Sequence, residues 1–204
     1  MPDGFFKTLQ SGCKKIFGVL INVIRKVCHL IIICFYKFTG PPRILKYSPE
    51  LNLKILRAFG AQVGHRSIRI HSPITLHEAE NDYRNLVIKD GCIINGNNFF
   101  DLSEKIILEK GVSIGPGVII MTHNSYNRNQ YLMDVLSHTC GKKPVHIKEG
   151  SGIKAGAVIV MGVTIGCNAV VAAHAVVNRD LPDHSFSAGV PAKVIRMFDE
   201  TSKE

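Results

Sequence analysis

The chain has 204 residues, 46% of them hydrophobic and 20% charged, and its 25 Lys and Arg outnumber 16 Asp and Glu to give a net charge of +9. That composition can fill a substantial core and excludes the disordered class, which combines low hydrophobicity with high charge. Six cysteines with no CxxC pair predict reduced thiols in a cytoplasmic protein rather than a disulfide framework.

The first forty residues contain two strongly apolar runs, Ile16 to Ile24 and Val27 to Phe38, separated by Arg25 and Lys26. A spanning helix wants about 20 apolar residues without central charge, so this is not expected to be a clean membrane span. The apolar stretch starts late and no small-residue cleavage site follows it, so no secretory signal is expected. Two readings stay open: an apolar helix with basic flanks lying in the interface of an anionic membrane through residues 5–40, or a helical hairpin packing on the base of the domain or on a sister subunit. Pro41 and Pro42 end the helical stretch, and Leu51 to Phe59 reads as a short helix leading to Gly60. Seven of the 25 Lys and Arg lie in the first 43 residues, which points to a membrane surface before nucleic acid. No nucleic-acid motif is present, and no nucleic-acid partner is expected. Residues 1–59 are therefore taken as an N-terminal helical segment.

From residue 60 to 187 a period of six takes over. Ile147, Ile153, Ile159, Ile165, Val171 and Val177 stand six apart, and four residues after each of the first five comes Ser151, Ala157, Val163, Ala169 or Ala175. An amphipathic helix repeats at about 3.6 residues and a half-buried strand at 2, so neither element alone explains the pattern. Stacked short strands do: each six-residue unit makes one flat side of a coil, with the aliphatic residue inside and the small residue clearing the corner. Leu108, Ile114 and Ile120 hold the same register upstream, as do Ile88, Ile94 and Phe100, and before them Ile70 and Leu76. Phe100 and Leu108 are eight apart, so Asp101 to Lys105 must absorb two extra residues. The position after Leu76 is Asp82, which makes the first coil irregular. The ladder stops at Ile120 and resumes at Ile147, so a polar loop, residues 121–146, must leave the coil; loops of this length commonly carry function. Residues 188–204 form a C-terminal tail. The fold class expected is an all-β solenoid with an N-terminal helical extension.

The tail reads Ala188-Gly189-Val190-Pro191-Ala192-Lys193-Val194-Ile195-Arg196, and the segment Val112-Ser113-Ile114-Gly115-Pro116-Gly117-Val118 leads to Thr122-His123-Asn124. Together with the sixfold ladder, these motifs resemble the hexapeptide-repeat acetyltransferases over about residues 60–198, in the branch of the galactoside, maltose, nodulation-factor and exopolysaccharide O-acetyltransferases. The resemblance implies a left-handed parallel β-helix, a homotrimer, and acetyl-CoA in the groove between adjacent subunits, with no metal. It also implies His123 as the catalytic histidine, Asn95 against the acceptor, and Ala155, Ala173, Asn178, Arg179, Lys193 and Arg196 as cofactor contacts. At Asn178 the family often has Thr or another small polar residue.

The residue types suit that chemistry. Acetyl transfer from a thioester to a sugar hydroxyl needs the hydroxyl deprotonated as it attacks. A histidine, with an unperturbed pKa of about 6.5, is a natural base, and positioned base catalysis contributes about 10²–10⁴ in rate. Ala155 and Ala173 are small enough to let pantetheine approach the coil, and Lys and Arg suit the nucleotide phosphates. Asn95 next to Gly96 also reads as a turn residue. Loop residues Asn124 to Tyr131 are candidates to shape the acceptor site. Other readings remain: an N-acetyltransferase of an amino sugar, a serine-type acetyltransferase, a non-catalytic repeat scaffold, and a zinc carbonic anhydrase using His123, His138 and His146.

Overall fold

The computed structural model describes residues 3–79, 81–125 and 129–198, with side chains from Gly18 onward. The chain divides into two compact units, Met1–Thr39 and Gly40–Glu204.

The first unit is one helix, α1, spanning Asp3–Thr39. Of the two open readings, its single helix excludes the hairpin. Arg25 and Lys26 interrupt the apolar composition but are good helix formers, and no turn-forming pair separates the two runs. The helix ends where Gly40 adopts a left-handed φ of 91° ahead of Pro41 and Pro42, as helix C-termini commonly do. Its stretch Gly18–Thr39, 22 residues with mean hydropathy 1.9, is long and apolar enough to cross a membrane by length and composition.

The second unit begins at Gly40, so the short helix predicted near 51–59 belongs with the solenoid. This helix, α2, spans Pro49–Ala58, with Pro49 in its first turn and the Ser48 hydroxyl accepting from the Leu51 N–H at 3.4 Å. It buries Leu51, Asn52, Ile55 and Leu56, and its contacts are with the strands Gln62–Val63 and Arg69–Ile70 that start the coil.

Short strands then stack into three faces. The first face holds the parallel strands Ile74–His77, Asn98–Asp101, Ile119–Ile120, Val158–Ile159 and Val176–Val177, edged by the antiparallel Ile44–Leu45. The second holds Gln62–Val63, Leu86–Ile88, Ile106–Leu108, Val145–Ile147 and Thr164–Ile165. The third runs from Arg69–Ile70 through Ile93–Ile94, Ser113–Ile114, Gly152–Ile153 and Val170–Val171 to Ser185–Ala188. The strand Lys193–Met197 folds back antiparallel on Ser185–Ala188, so part of the predicted tail belongs to the third face.

The hexapeptide ladder is the core. Ile147, Ile159, Ile165, Val171 and Val177 are fully buried, and so are the corner residues Ser151, Ala157, Ala169 and Ala175. Each large aliphatic buried this way contributes about 1.5–3 kcal/mol. Coil-to-coil backbone bonds, such as Ile119 N–H to Ala157 C=O at 3.0 Å and Val158 N–H to Ala175 C=O at 2.9 Å, satisfy the strands between neighbours. The ladder skips Asp82 and resumes at Leu86, and in the irregular first coil Ala79 and Tyr83 are buried. The long loop leaves after Ile120 and rejoins at Val145; within it, His123–Asn124 pairs antiparallel with Gly141–Lys142, and helix α3 covers Gln130–Leu136. Tyr126, Asn127 and Arg128 of the predicted acceptor loop lie outside the described residues.

Candidate active site

The two extra residues between Phe100 and Leu108 build the site. Asp101 ends its first-face strand with no exposed side-chain surface, one coil below the point where the long loop departs. Its Oδ2 accepts from the Thr122 N–H at 2.8 Å, the His123 N–H at 2.9 Å and the His123 ring Nδ1 at 2.6 Å. Its Oδ1 accepts from the Ser103 N–H at 3.1 Å and the Ser103 hydroxyl at 2.8 Å. Burial alone pushes the carboxyl upward, but the bonds from Thr122, His123 and Ser103 outweigh it and hold the pKa at about 2, down from the ordinary 3.8. An ionised carboxylate can only accept, so the His123 proton is assigned to Nδ1 and its lone pair to Nε2. Among the described residues Nε2 has no hydrogen-bond partner. The His123 side chain keeps 26% exposure, which leaves its outer edge reachable.

Ser103 also places its hydroxyl 3.0 Å from His123 Nδ1. On the other side, His77 lies in register with Asp101 one coil earlier, with its Nδ1 3.7 Å from Asp101 Oδ1. Its ring is parallel to that of His123, with centroids 6.0 Å apart and 6° between planes, and its other neighbour is Phe99 at 5.4 Å. The imidazole of His123 is thus fixed by a carboxylate, a hydroxyl and a stacked ring.

The other predicted residues occupy different edges. Asn95, Ala155 and Ala173 line one groove of about 610 Å³ at the edge between the third and first faces. The Asn95 amide donates to the Ile114 carbonyl at 3.0 Å, and the left-handed residue of its turn is Asn97, at φ 62°, rather than Asn95. Gly115 belongs to the same groove because a Cβ there would come within 2.7 Å of the Ala155 nitrogen. Asn178 and Arg179 are exposed on the edge that carries His123, in a later coil, and Lys193 and Arg196 are exposed on the last strand of the third face. A single chain keeps His123 and Asn95 apart by the width of the first face, about 13 Å for the four-residue strand Asn98–Asp101.

Sequence reasoning missed Asp101, Ser103, His77 and Lys154. The first two fall in the segment read only as absorbing extra residues, and an Asp and a Ser two apart beneath a histidine-bearing loop were the available signal. Lys154 is an exposed cation on the groove, beside Ala155. The trio His123, His138 and His146 is not assembled: His138 sits in the short helical turn Ser137–Thr139, and His146 pairs with Glu109 at 3.0 Å. Among the described residues, the one group of three potential metal ligands that converges is His77, Asp101 and His123.

A maltose O-acetyltransferase from Clostridium difficile 630 superposes with a TM-score of 0.64 at 29% identity, covering 76% of this chain and 79% of that one. A hexapeptide-repeat acetyltransferase from Vibrio cholerae O1 biovar eltor, solved with acetyl coenzyme A, gives a TM-score of 0.62 at 28% identity, over 73% and 77% of the two chains. The chain resembles the hexapeptide-repeat acetyltransferases in sequence and fold. Its solenoid is accordingly their left-handed parallel β-helix, a handedness opposite to that of most parallel crossovers. Among curated proteins, a Saccharomyces cerevisiae protein named as an acetyltransferase is 34% identical over 116 residues, 57% of this chain. A tetrahydropyridine-dicarboxylate N-acetyltransferase from Enterococcus faecalis is 48% identical over 60 residues, 29% of this chain. The chain spans 58% of the yeast protein's length and 26% of the Enterococcus protein's. No family model matches.

Proposed function

We propose that the chain is an acetyl-CoA-dependent O-acetyltransferase that modifies a sugar hydroxyl of a glycan or surface-polysaccharide precursor in the cytoplasm, working as a homotrimer. The observation that carries the reading is the His123 ring, with Nδ1 held by buried Asp101 at 2.6 Å and Nε2 left to accept a proton. The Clostridium neighbour is a maltose O-acetyltransferase and the Vibrio neighbour was solved with acetyl coenzyme A, which supports both the acceptor class and the donor. Free thiols at Cys28, Cys34, Cys92, Cys140 and Cys167 fit a cytoplasmic setting.

His123 Nε2 takes the proton of the acceptor hydroxyl as its oxygen bonds to the thioester carbonyl carbon. Asp101 balances the imidazolium that forms and fixes the ring's tautomer. When the carbon–sulfur bond breaks, His123 returns the proton to the departing thiolate, leaving an acetyl ester and free CoA. The Asn95, Ala155 and Ala173 groove accepts the pantetheine arm, with Lys154, Arg179, Lys193 and Arg196 available to the phosphates. The separation of this groove from His123 within one chain supports the trimer: a neighbouring copy can lay its groove edge beside the His123 edge. Asn95 would then meet the acceptor across the seam, and Asn178 would lie near the donor.

A second reading, transfer to an amine, is favoured by the Enterococcus N-acetyltransferase relative. CoA release measured against a panel of sugars, amino sugars and serine separates the two. The proposal expects turnover on sugar hydroxyls, with kcat lowered about 10²–10⁴ by His123→Ala. Full turnover by His123→Ala, or turnover on amines alone, overturns it.

A further inference from the structure

Helix α1 sorts its residues by face. At about 100° per residue, Asn22, Arg25, Lys26, His29 and Lys37 fall within an arc of about 120°, with Val19 and Ile33 as the apolar residues among them. Asn22, Arg25, Lys26 and Lys37 are exposed while His29 between them is buried, and the Arg25 guanidinium donates to the Asn22 side chain at 3.1 Å. Centred on the opposite side are Leu20, Ile24, Val27, Ile31, Phe35 and Phe38, all at least 50% exposed. The sequence continues the polar line upstream, where Lys15, Asn22, His29 and Tyr36 recur every seven residues. Between Asp3 and Glu50 there is no acidic residue.

We propose that α1 lies in the plane of an anionic lipid bilayer, its Leu20–Ile31–Phe38 side sunk below the headgroups and its Arg25–Lys26–Lys37 side among them. Two features select this occupant. A spanning pose would carry Arg25 and Lys26 about 11 Å past Gly18, well inside a hydrocarbon layer about 30 Å thick, where charge is costly. In the plane, both cations stay at headgroup level while every residue of the apolar face is buried at once. A second copy of the helix would cover the apolar side but bring only the same cations, with no carboxylate to offset them, whereas anionic headgroups supply that charge.

The test uses the full chain and flotation with vesicles of phosphatidylcholine alone or mixed with phosphatidylglycerol. The expected result is binding to the anionic vesicles, weakened by salt and fully reversed by alkaline carbonate. Arg25→Glu, Lys26→Glu and Lys37→Glu combined should weaken it at least about a hundredfold, since each surface cation accounts for about a fivefold change. The three Gln substitutions serve as a milder set if the Glu variant fails to fold. Equal binding by either folded variant and the parent overturns the proposal. So does retention through carbonate, which means a span. An oligomer without vesicle affinity that dissociates on Leu20→Asp would mean that a second copy covers the face, and likewise overturns it. None of these readouts depends on acetyl transfer.

Discussion

Between Ile147 and Val177 every sixth residue enters the solenoid and is buried against the ladder of the neighbouring coil, whereas on the edge running from Asp101 to His123 the covered groups are a carboxylate and a threonine hydroxyl. The first region is held by apolar area, which is additive and indifferent to direction. The second is held by hydrogen bonds that must all be made together, because an unpaired buried carboxylate is costly. The late coils are therefore stabilised by area alone, and the edge by a fixed, ionised Asp101 behind a histidine, whose contribution depends on its hydrogen bonds.

The largest effect that would break this contrast falls on turnover. Asp101→Asn keeps the size of the side chain but presents an amide that can donate, and His123 then loses the reason to hold its proton on Nδ1. We expect kcat to fall by about 10²-fold or more with little change in KM for the donor, read as single-turnover acetyl transfer at saturating acetyl-CoA. Equal loss of donor affinity would mean that Asp101 shapes the groove rather than the base.

A ladder residue should show the reverse signature. Ile153 is 1% exposed and sits between Ile114 and Val171 in the third face. Ile153→Ala removes buried methylene groups from a site that the stacked coils cannot close, so unfolding free energy should drop by about 2–5 kcal/mol in a denaturant titration. The rate of the chemical step should persist, since His123 lies on another edge, while KM for the donor should rise, because Ile153 also lines the groove of Asn95, Ala155 and Ala173. A loss under 1 kcal/mol, on the scale of a tolerated core swap, would show that the coils do relax around the gap.

The same contrast explains what was legible beforehand. A sixfold period is unmistakable because each aliphatic maps to one buried position, so the solenoid and its long loop could be read directly from Ile147 to Val177, whereas His123 entered as a candidate base through the family resemblance that Thr122-His123-Asn124 helps to carry. Asp101 and Ser103 could not, because their role depends on which residue the next coil places above them, and the eight-residue step from Phe100 to Leu108 conceals that register. His77 is further removed, since the irregular turn after it broke the ladder before the pattern could be followed. In α1 the charged pair Arg25-Lys26 looked like an interruption along the chain, while in the helix both residues fall on the polar arc and interrupt nothing.

The smallest effect sharpens the comparison by pH. Asp101 has its folded pKa at about 2, against an ordinary 3.8. Its depressed value means that ionised Asp101 stabilises the folded chain, by about 2 kcal/mol at 1.36 kcal/mol per pKa unit. That contribution is fully present above the unfolded value and fades as pH falls from about 3.8 through about 2, below which folded and unfolded forms are both protonated. Asp101→Asn has no proton to bind there, so its unfolding free energy should change less steeply across this window than that of the parent, with the gap between the two narrowing toward the acid end. Ile153→Ala, by contrast, should run parallel to the parent at every pH, because apolar area carries no proton. Parallel curves for Asp101→Asn would mean that the buried carboxylate is not preferentially ionised in the fold, and the assignment of the His123 proton to Nδ1 would lose its physical basis.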